Sequence, residues 1–141
     1  GWQEEPGVRS VLETLGLKVK GSLIWVKEEH TSGDLEGSFA PSHERIVHAV
    51  KGSPRVSPRL RDVFVENRTR ETSHPTEKPL PLLEKLISAT TEEGDPMVDP
   101  LAGCASTLVA ALKMGRGFWG CEIAEGYWGE GQQRLAALGK H

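Results

Sequence analysis

The residues of this sequence best placed to do chemistry lie in one stretch, Val98-Asp99-Pro100-Leu101-Ala102-Gly103-Cys104-Ala105-Ser106-Thr107, and at one later acid, Glu122. A short apolar run ends in an acid, a loop of tiny residues follows, and a helical pattern begins. Small side chains let a ligand approach the backbone closely. A helix start offers free N–H groups and a positive dipole end to an anionic group such as a carboxylate. Glu122 sits at the end of the next strand-like run, where an acid can accept hydrogen bonds from both hydroxyls of a ribose. Loop and acid at neighbouring strand ends reach one adenosine-type ligand together. Taken singly, Asp99 reads as a helix-capping acid and Glu122 as a solvated strand-end charge, so the order and context of the pieces carry the combination. A full G-x-G-x-x-G is absent, which favours a mononucleoside over a dinucleotide with its pyrophosphate.

A second candidate is electrostatic. Between Lys51 and Arg70 stand Arg55, Arg59, Arg61 and Arg68, opposed only by Asp62 and Glu66. Guanidinium groups suit phosphate contacts; the plainer alternative is a solvated loop. The net charge of −3 over 141 residues is unusual for a stand-alone nucleic-acid binder. The two cysteines, Cys104 and Cys121, are too few for a disulfide framework and fit a reducing cytoplasm. The histidines do not fall at zinc-finger spacing, so no metal site is expected. No apolar run approaches the roughly 20 residues that span a bilayer. A hydrophobic fraction of 37% and a charged fraction of 26% exclude a disordered chain. The chain starts at Gly1 without a signal-peptide pattern, which leads us to expect a longer native protein.

The elements that must position these groups follow from periodicity and punctuation. Val8, Val11, Leu12 and Leu15 predict a helix closed by Gly16. Residues 17–26 and 44–50 predict two strands joined by a polar loop at 28–42, a long-looped antiparallel hairpin. A short strand is expected at 63–65 within an otherwise aperiodic 51–73. Leu82, Leu83, Leu86 and Ile87 form one helical stripe after Pro79, ended by Gly94-Asp95. Then come a strand at 97–99, a loop at 100–103, a helix at 105–114, a strand at 117–123 and a helix at 125–138. The last helix carries Gly126, Gly129 and Gly131, each costing about 1 kcal/mol against alanine, so its first turns are expected to fray. The C-terminal half is thus the β-α-β arrangement of a nucleotide-binding α/β fold.

Several segments carry a family resemblance. They are His74-Pro-Thr-Glu-Lys-Pro-Leu-Pro-Leu-Leu-Glu-Lys-Leu-Ile87, the loop at 99–107, Gly120-Cys-Glu-Ile123, Tyr127 and Gln133-Arg-Leu135. Upstream, Trp25-Val-Lys27, His43-Glu-Arg-Ile46 and Lys51-Gly52 add to them. Together they resemble the C-terminal portion of S-adenosylmethionine (SAM)-dependent DNA amino-methyltransferases acting on adenine N6 or cytosine N4, in the permuted class whose cofactor motif is C-terminal. The resemblance implies an α/β, partial Rossmann-like methyltransferase fold, with a mixed sheet containing an antiparallel hairpin and a C-terminal β-α-β cofactor unit. It implies one incomplete domain over 1–141: helix and hairpin at 8–52, a basic target-recognition segment at 53–73, and a cofactor-binding half at 74–141. Asp99 and the loop of Gly103, Ala105 and Ser106 would then face the methionine part of SAM. Glu122 would hold the ribose. His74, Thr76 and Lys78 would close over the methionine end, and Pro100, Cys121 and Ile123 would flank the adenine. Without the resemblance, His74 and Lys78 read as helix-start capping and surface charge. Arg55, Arg59, Arg61, Arg68 and Arg70 would contact DNA.

Two departures from the family pattern matter. Its loop usually reads Gly-x-Gly, and here the second glycine is Ala105, tolerable for binding if φ there is negative. The family motif Asp/Asn/Ser-Pro-Pro-Tyr/Phe, which activates the target amine and stacks on the flipped base, is nowhere in the sequence. Neither Asp95-Pro96-Met97 nor Asp99-Pro100-Leu101 replaces it. No catalytic residue is therefore assigned, and the chain alone is expected to transfer no methyl groups. Without the strands that carry that motif, two strand pairs would be left with open inner edges, and open edges recruit partners. The expected partners are DNA, a missing N-terminal catalytic part or partner chain, or a second copy, in a cytoplasmic restriction-modification or phage setting without membrane. Two other readings stay open: a catalytically silent module that binds SAM or DNA and regulates, and an RNA or protein methyltransferase of the same fold.

Overall fold

The computed structural model describes residues 3–28, 36–37, 39–69 and 71–139; Arg70 and residues 29–35 and 38 of the polar loop lie outside them. The chain divides into two compact units, Gly1–Asn67 and Arg68–His141.

The first unit contains α1 (Glu5–Thr14), β1 (Lys18–Val26), β2 (His43–Val50) and β3 (Val63–Val65). Gly16, at φ +76°, turns the chain out of α1 into β1. β1 and β2 pair antiparallel from Lys18↔Val50 to Val26↔His43, with one irregularity between Val19 and Gly21. β3 then pairs parallel with the other edge of β1, from Ile24↔Val63 to Val26↔Val65. The hairpin is thus the larger part of a mixed three-stranded sheet of order β2-β1-β3, and β3 covers part of the edge expected to stand open. Trp25 is the buried centre, and its indole N–H donates to the Glu66 carbonyl at 2.7 Å. Glu5 ties α1 to the hairpin by accepting from Arg9 at 2.8 Å and from Arg45 at 2.7 Å. Together the two guanidinium groups, Arg45 first, hold its carboxyl down at about 2.

The second unit contains α2 (Leu80–Thr90), β4 (Pro96–Asp99), α3 (Ser106–Lys113), β5 (Gly117–Gly120) and α4 (Glu125–Leu138). β4 and β5 pair parallel from Pro96↔Gly117 to Asp99↔Gly120, joined by α3 as a crossover helix. Two apolar clusters sit on α3. Ala110 and Ala111 meet Ile87 of α2, with Leu80, Leu83, Met97 and Met114 around them. Leu108 meets Ala102 and Ala105, with Trp128 and Leu135 of α4 around them. Small residues on α3 and in β5 allow this close stacking: a Cβ on Gly120 would stand 2.6 Å from Leu108 Cδ1 and 3.0 Å from the Asp99 carbonyl oxygen.

Two elements end earlier than the periodicity predicts. α2 stops at Thr90 because Thr91 turns extended and Arg116 takes over, donating to the Thr91 carbonyl at 2.7 Å and its hydroxyl at 3.1 Å. β5 stops at Gly120 because the following residues turn towards the loop after β4; Ala102 N–H donates to the Cys121 carbonyl at 2.9 Å. The architecture is α/β and Rossmann-like, with a mixed sheet and a β-α-β unit. Among the described residues, no helix is long and apolar enough to cross a membrane, and no group of three or more His, Cys, Asp or Glu is arranged to hold a metal ion.

Candidate functional site

The loop between β4 and α3 is shaped by two left-handed residues, Gly103 at φ +54° and Ala105 at φ +62°. Asp99 starts the turn, its carboxylate accepting the Leu101 N–H at 3.1 Å. Gly103 lies close under the His74 ring, since a Cβ there would stand 3.0 Å from Nε2 and the ring would have to give way. Ala105, at the N-terminal cap of α3, adopts the left-handed conformation at a cost of about 1–2 kcal/mol. The negative φ set as the condition for tolerating alanine here is not what the chain adopts. Instead its methyl group is fully buried and faces α4 at Gly131, where a Cβ would be only 2.8 Å away. A glycine inside α4 therefore accommodates the alanine in the loop.

Glu122 fastens the loop to the end of β5. One carboxylate oxygen accepts the Ala124 N–H at 2.9 Å and the other the Gly103 N–H at 2.8 Å. These amides, Ala124 foremost, hold its carboxyl below the ordinary range, so it is an anion near neutral pH. Each oxygen keeps lone-pair capacity for a further donor.

The segment from Glu71 to Lys78 forms a second wall, held by one face of α4. The His74 and Tyr127 rings meet edge-on with centroids 4.4 Å apart. Ser73 donates its amide at 3.0 Å and its hydroxyl at 2.7 Å to Glu130, whose carboxyl is lowered by that hydroxyl first and the amide second. Glu77 is buried and accepts the Thr72 amide and hydroxyl at 3.1 and 3.0 Å. Arg134 stands 3.0 Å from its other oxygen, paired in charge but out of line for a hydrogen bond.

Between these walls lies a cavity of about 140 Å³. His74, Thr76 and Lys78 line it from one wall, and Asp99, Gly103 and Ser106 from the other. Those six candidates are brought together. The other four sit around them: Glu122 behind Gly103, Ala105 buried against α4, Pro100 exposed, and Ile123 almost wholly exposed at 99%. Arg55, Arg59 and Arg61 are exposed on the first unit, and Arg68 is half-buried at the start of the second. Sequence reasoning gave no role to Glu77, Glu130 or Arg134, although Glu77 and Arg134 stand in segments that carry the resemblance. A signal existed: Tyr127, Glu130 and Arg134 recur at i, i+3 and i+7, one helical face.

Known proteins resemble this chain over most of its length. A family profile described as a DNA methylase matches residues 7–133. A putative methylase of Escherichia coli K12, YubD, is 35% identical over 139 residues, covering 98% of this chain and 60% of the relative. The type II methyltransferase M2.DpnII of Streptococcus pneumoniae is 30% identical over 149 residues, covering 92% of this chain and 56% of the relative. The crystal structure of an M1.HpyAVI–SAM complex superposes with a TM-score of 0.81 at 28% identity, over 96% of this chain and 71% of that one. The chain thus spans 60% or less of the length of these two curated relatives.

Proposed function

The chain belongs to the N6/N4 DNA methylase family, and from that premise we propose that it is the SAM-binding C-terminal part of an enzyme that methylates an exocyclic amine of adenine or cytosine in DNA. The observation that carries the reading is the Glu122 carboxylate, bonded to the Gly103 amide at the strand ends, beside a cavity where the His74 ring packs close over Gly103. An ionised acid with spare lone pairs fits two ribose hydroxyls. A cavity of about 140 Å³ lined by Thr76, Lys78, Asp99 and Ser106 fits an amino-acid end, with the nucleoside outside it near the exposed Ile123 and Pro100.

The chemistry such a cofactor supplies is an electrophilic methyl group on a sulfonium. Glu122 orients the ribose. Thr76, Lys78 and Ser106 offer donors to the methionine carboxylate, and Asp99 offers an acceptor to its ammonium. Gly103 gives the backbone close approach beneath the His74 ring, and Ala105 shapes the loop from behind. The exposed Arg55, Arg59 and Arg61, with Arg68 and Arg70, take DNA phosphates. The sequence holds no Asp/Asn/Ser-Pro-Pro-Tyr/Phe motif, so activation of the amine falls to residues outside these 141, upstream or on a partner chain, in the cytoplasm. A restriction-modification role is supported by the type II relative M2.DpnII.

Calorimetric titration with SAM and its demethylated product, S-adenosylhomocysteine, tests the site. Wild type should bind both, and Glu122→Ala and Asp99→Ala should each weaken binding roughly tenfold or more. A wild type that binds neither, or a Glu122→Ala variant that binds equally well, refutes it. Labelled SAM with mixed DNA should give no product from the chain alone; product above background overturns the division of labour.

A further inference from the structure

The side chain of Arg134 is 16% exposed and reaches both walls of the cavity. One terminal nitrogen donates to the Cys104 carbonyl at 2.9 Å and the Ser106 hydroxyl at 3.1 Å, both in the loop. The other lies 3.0 Å from the fully buried carboxylate of Glu77 in the opposite wall. Tyr127 and Glu130, on the same face of α4, hold His74 and Ser73; of the three, Arg134 is the one whose side chain also bonds the loop. A planar guanidinium can hold two partners at a set separation, whereas an ammonium is a single point.

We propose that Arg134 is a positioning residue that sets the spacing of the two cavity walls and neutralises Glu77, so that the methionine end of SAM is gripped only while this bridge is in place. The inference rests on the cofactor reading above. Without the bridge, the 71–78 segment loses its tie to the loop and an unbalanced buried carboxylate faces the end of the ligand that carries a carboxylate of its own. The adenosine end is held by Glu122, which keeps the Ala124 amide at 2.9 Å outside the bridged loop.

The full chain is tested as wild type, Arg134→Lys, Arg134→Gln, Glu77→Gln and the double variant Arg134→Gln/Glu77→Gln. S-adenosylhomocysteine and adenosine are titrated by calorimetry, and amide hydrogen exchange is followed without ligand. Arg134→Gln and Arg134→Lys should weaken S-adenosylhomocysteine about tenfold while adenosine stays within about twofold. Exchange in 72–77 and in 103–106 should rise together. The double variant should recover stability by removing the stranded charge, yet not regain affinity; if Arg134→Gln alone does not fold, this variant and Arg134→Lys carry the test. Equal losses for both ligands, exchange rising in one wall only, or an Arg134→Lys variant that binds like wild type overturns the proposal. A wild type that binds neither ligand instead removes the cofactor reading and this role with it, so the two failures are told apart.

Discussion

Exchanging the methyl group between Ala105 and Gly131 tests how the loop is supported. A Cβ on Gly131 would meet Ala105 Cβ at 2.8 Å and the Cys104 carbonyl carbon at 3.1 Å, inside the 3.5–4.0 Å at which carbon atoms attract. Gly131→Ala gains about 1 kcal/mol of helix propensity and loses about 1–3 kcal/mol to overpacking. The net result should be a loss of up to about 2 kcal/mol. Ala105→Gly relieves a left-handed alanine by about 1–2 kcal/mol. It gives up about 0.8 kcal/mol for one buried methyl and about 0.4–1 kcal/mol in chain entropy, so it should be nearly neutral. In the double variant the two methyl groups never meet, so the propensity and relief are kept and the 2.8 Å clash is gone, leaving only the 3.1 Å approach to the Cys104 backbone. It should exceed Gly131→Ala by about 2 kcal/mol, with a coupling of about 1–3 kcal/mol between the sites. Urea unfolding followed by tryptophan fluorescence measures all four proteins. If the double variant equals the sum of the singles within about 0.5 kcal/mol, the methyl groups do not compete for one space and the account of the loop is wrong.

A Cβ on Gly129 would meet nothing within 4 Å, so Gly129→Ala should stabilise by about 0.5–1 kcal/mol in the same urea assay; a loss of stability would contradict open surroundings at that position. Gly103→Ala should drive the His74 ring aside and strain the backbone, costing about 1–3 kcal/mol and about tenfold in SAM affinity; unchanged titration and unfolding curves would count against the close approach. Glu5, held at about 2 by Arg45 and Arg9 against an ordinary 4.5, has a folded pKa below its unfolded one. Its stabilisation is therefore complete above the unfolded value and fades as pH falls through the folded one. The gap in thermal stability between wild type and Glu5→Gln should be full near neutral pH and shrink between about 4.5 and about 2; a gap that is constant or grows on acidification refutes the pairing.

Local pattern carried much of this protein. The stripe of Leu82, Leu83, Leu86 and Ile87, the alternation in 17–26 and the prolines before Leu80 are short-range signals, and the helices and strands they predict are present. The order of Asp99, the small-residue loop and Glu122 likewise points to the fold class without coordinates, because strand, turn and helix start are each encoded within a few residues. What required the tertiary structure was every choice made between segments far apart in sequence. β3 pairs with β1 across a separation of 39 residues, as in Ile24↔Val63, and three residues hold too little periodicity to announce a partner. The Ala105 methyl group can be buried because Gly131 has no side chain, and the carboxylate of Glu77 because a guanidinium stands at Arg134. Propensity acts along the chain over a turn or two, whereas packing and charge compensation act through space. The residue types at the candidate site were therefore written in the sequence, and the walls that bring six of them around one cavity were decided by the fold.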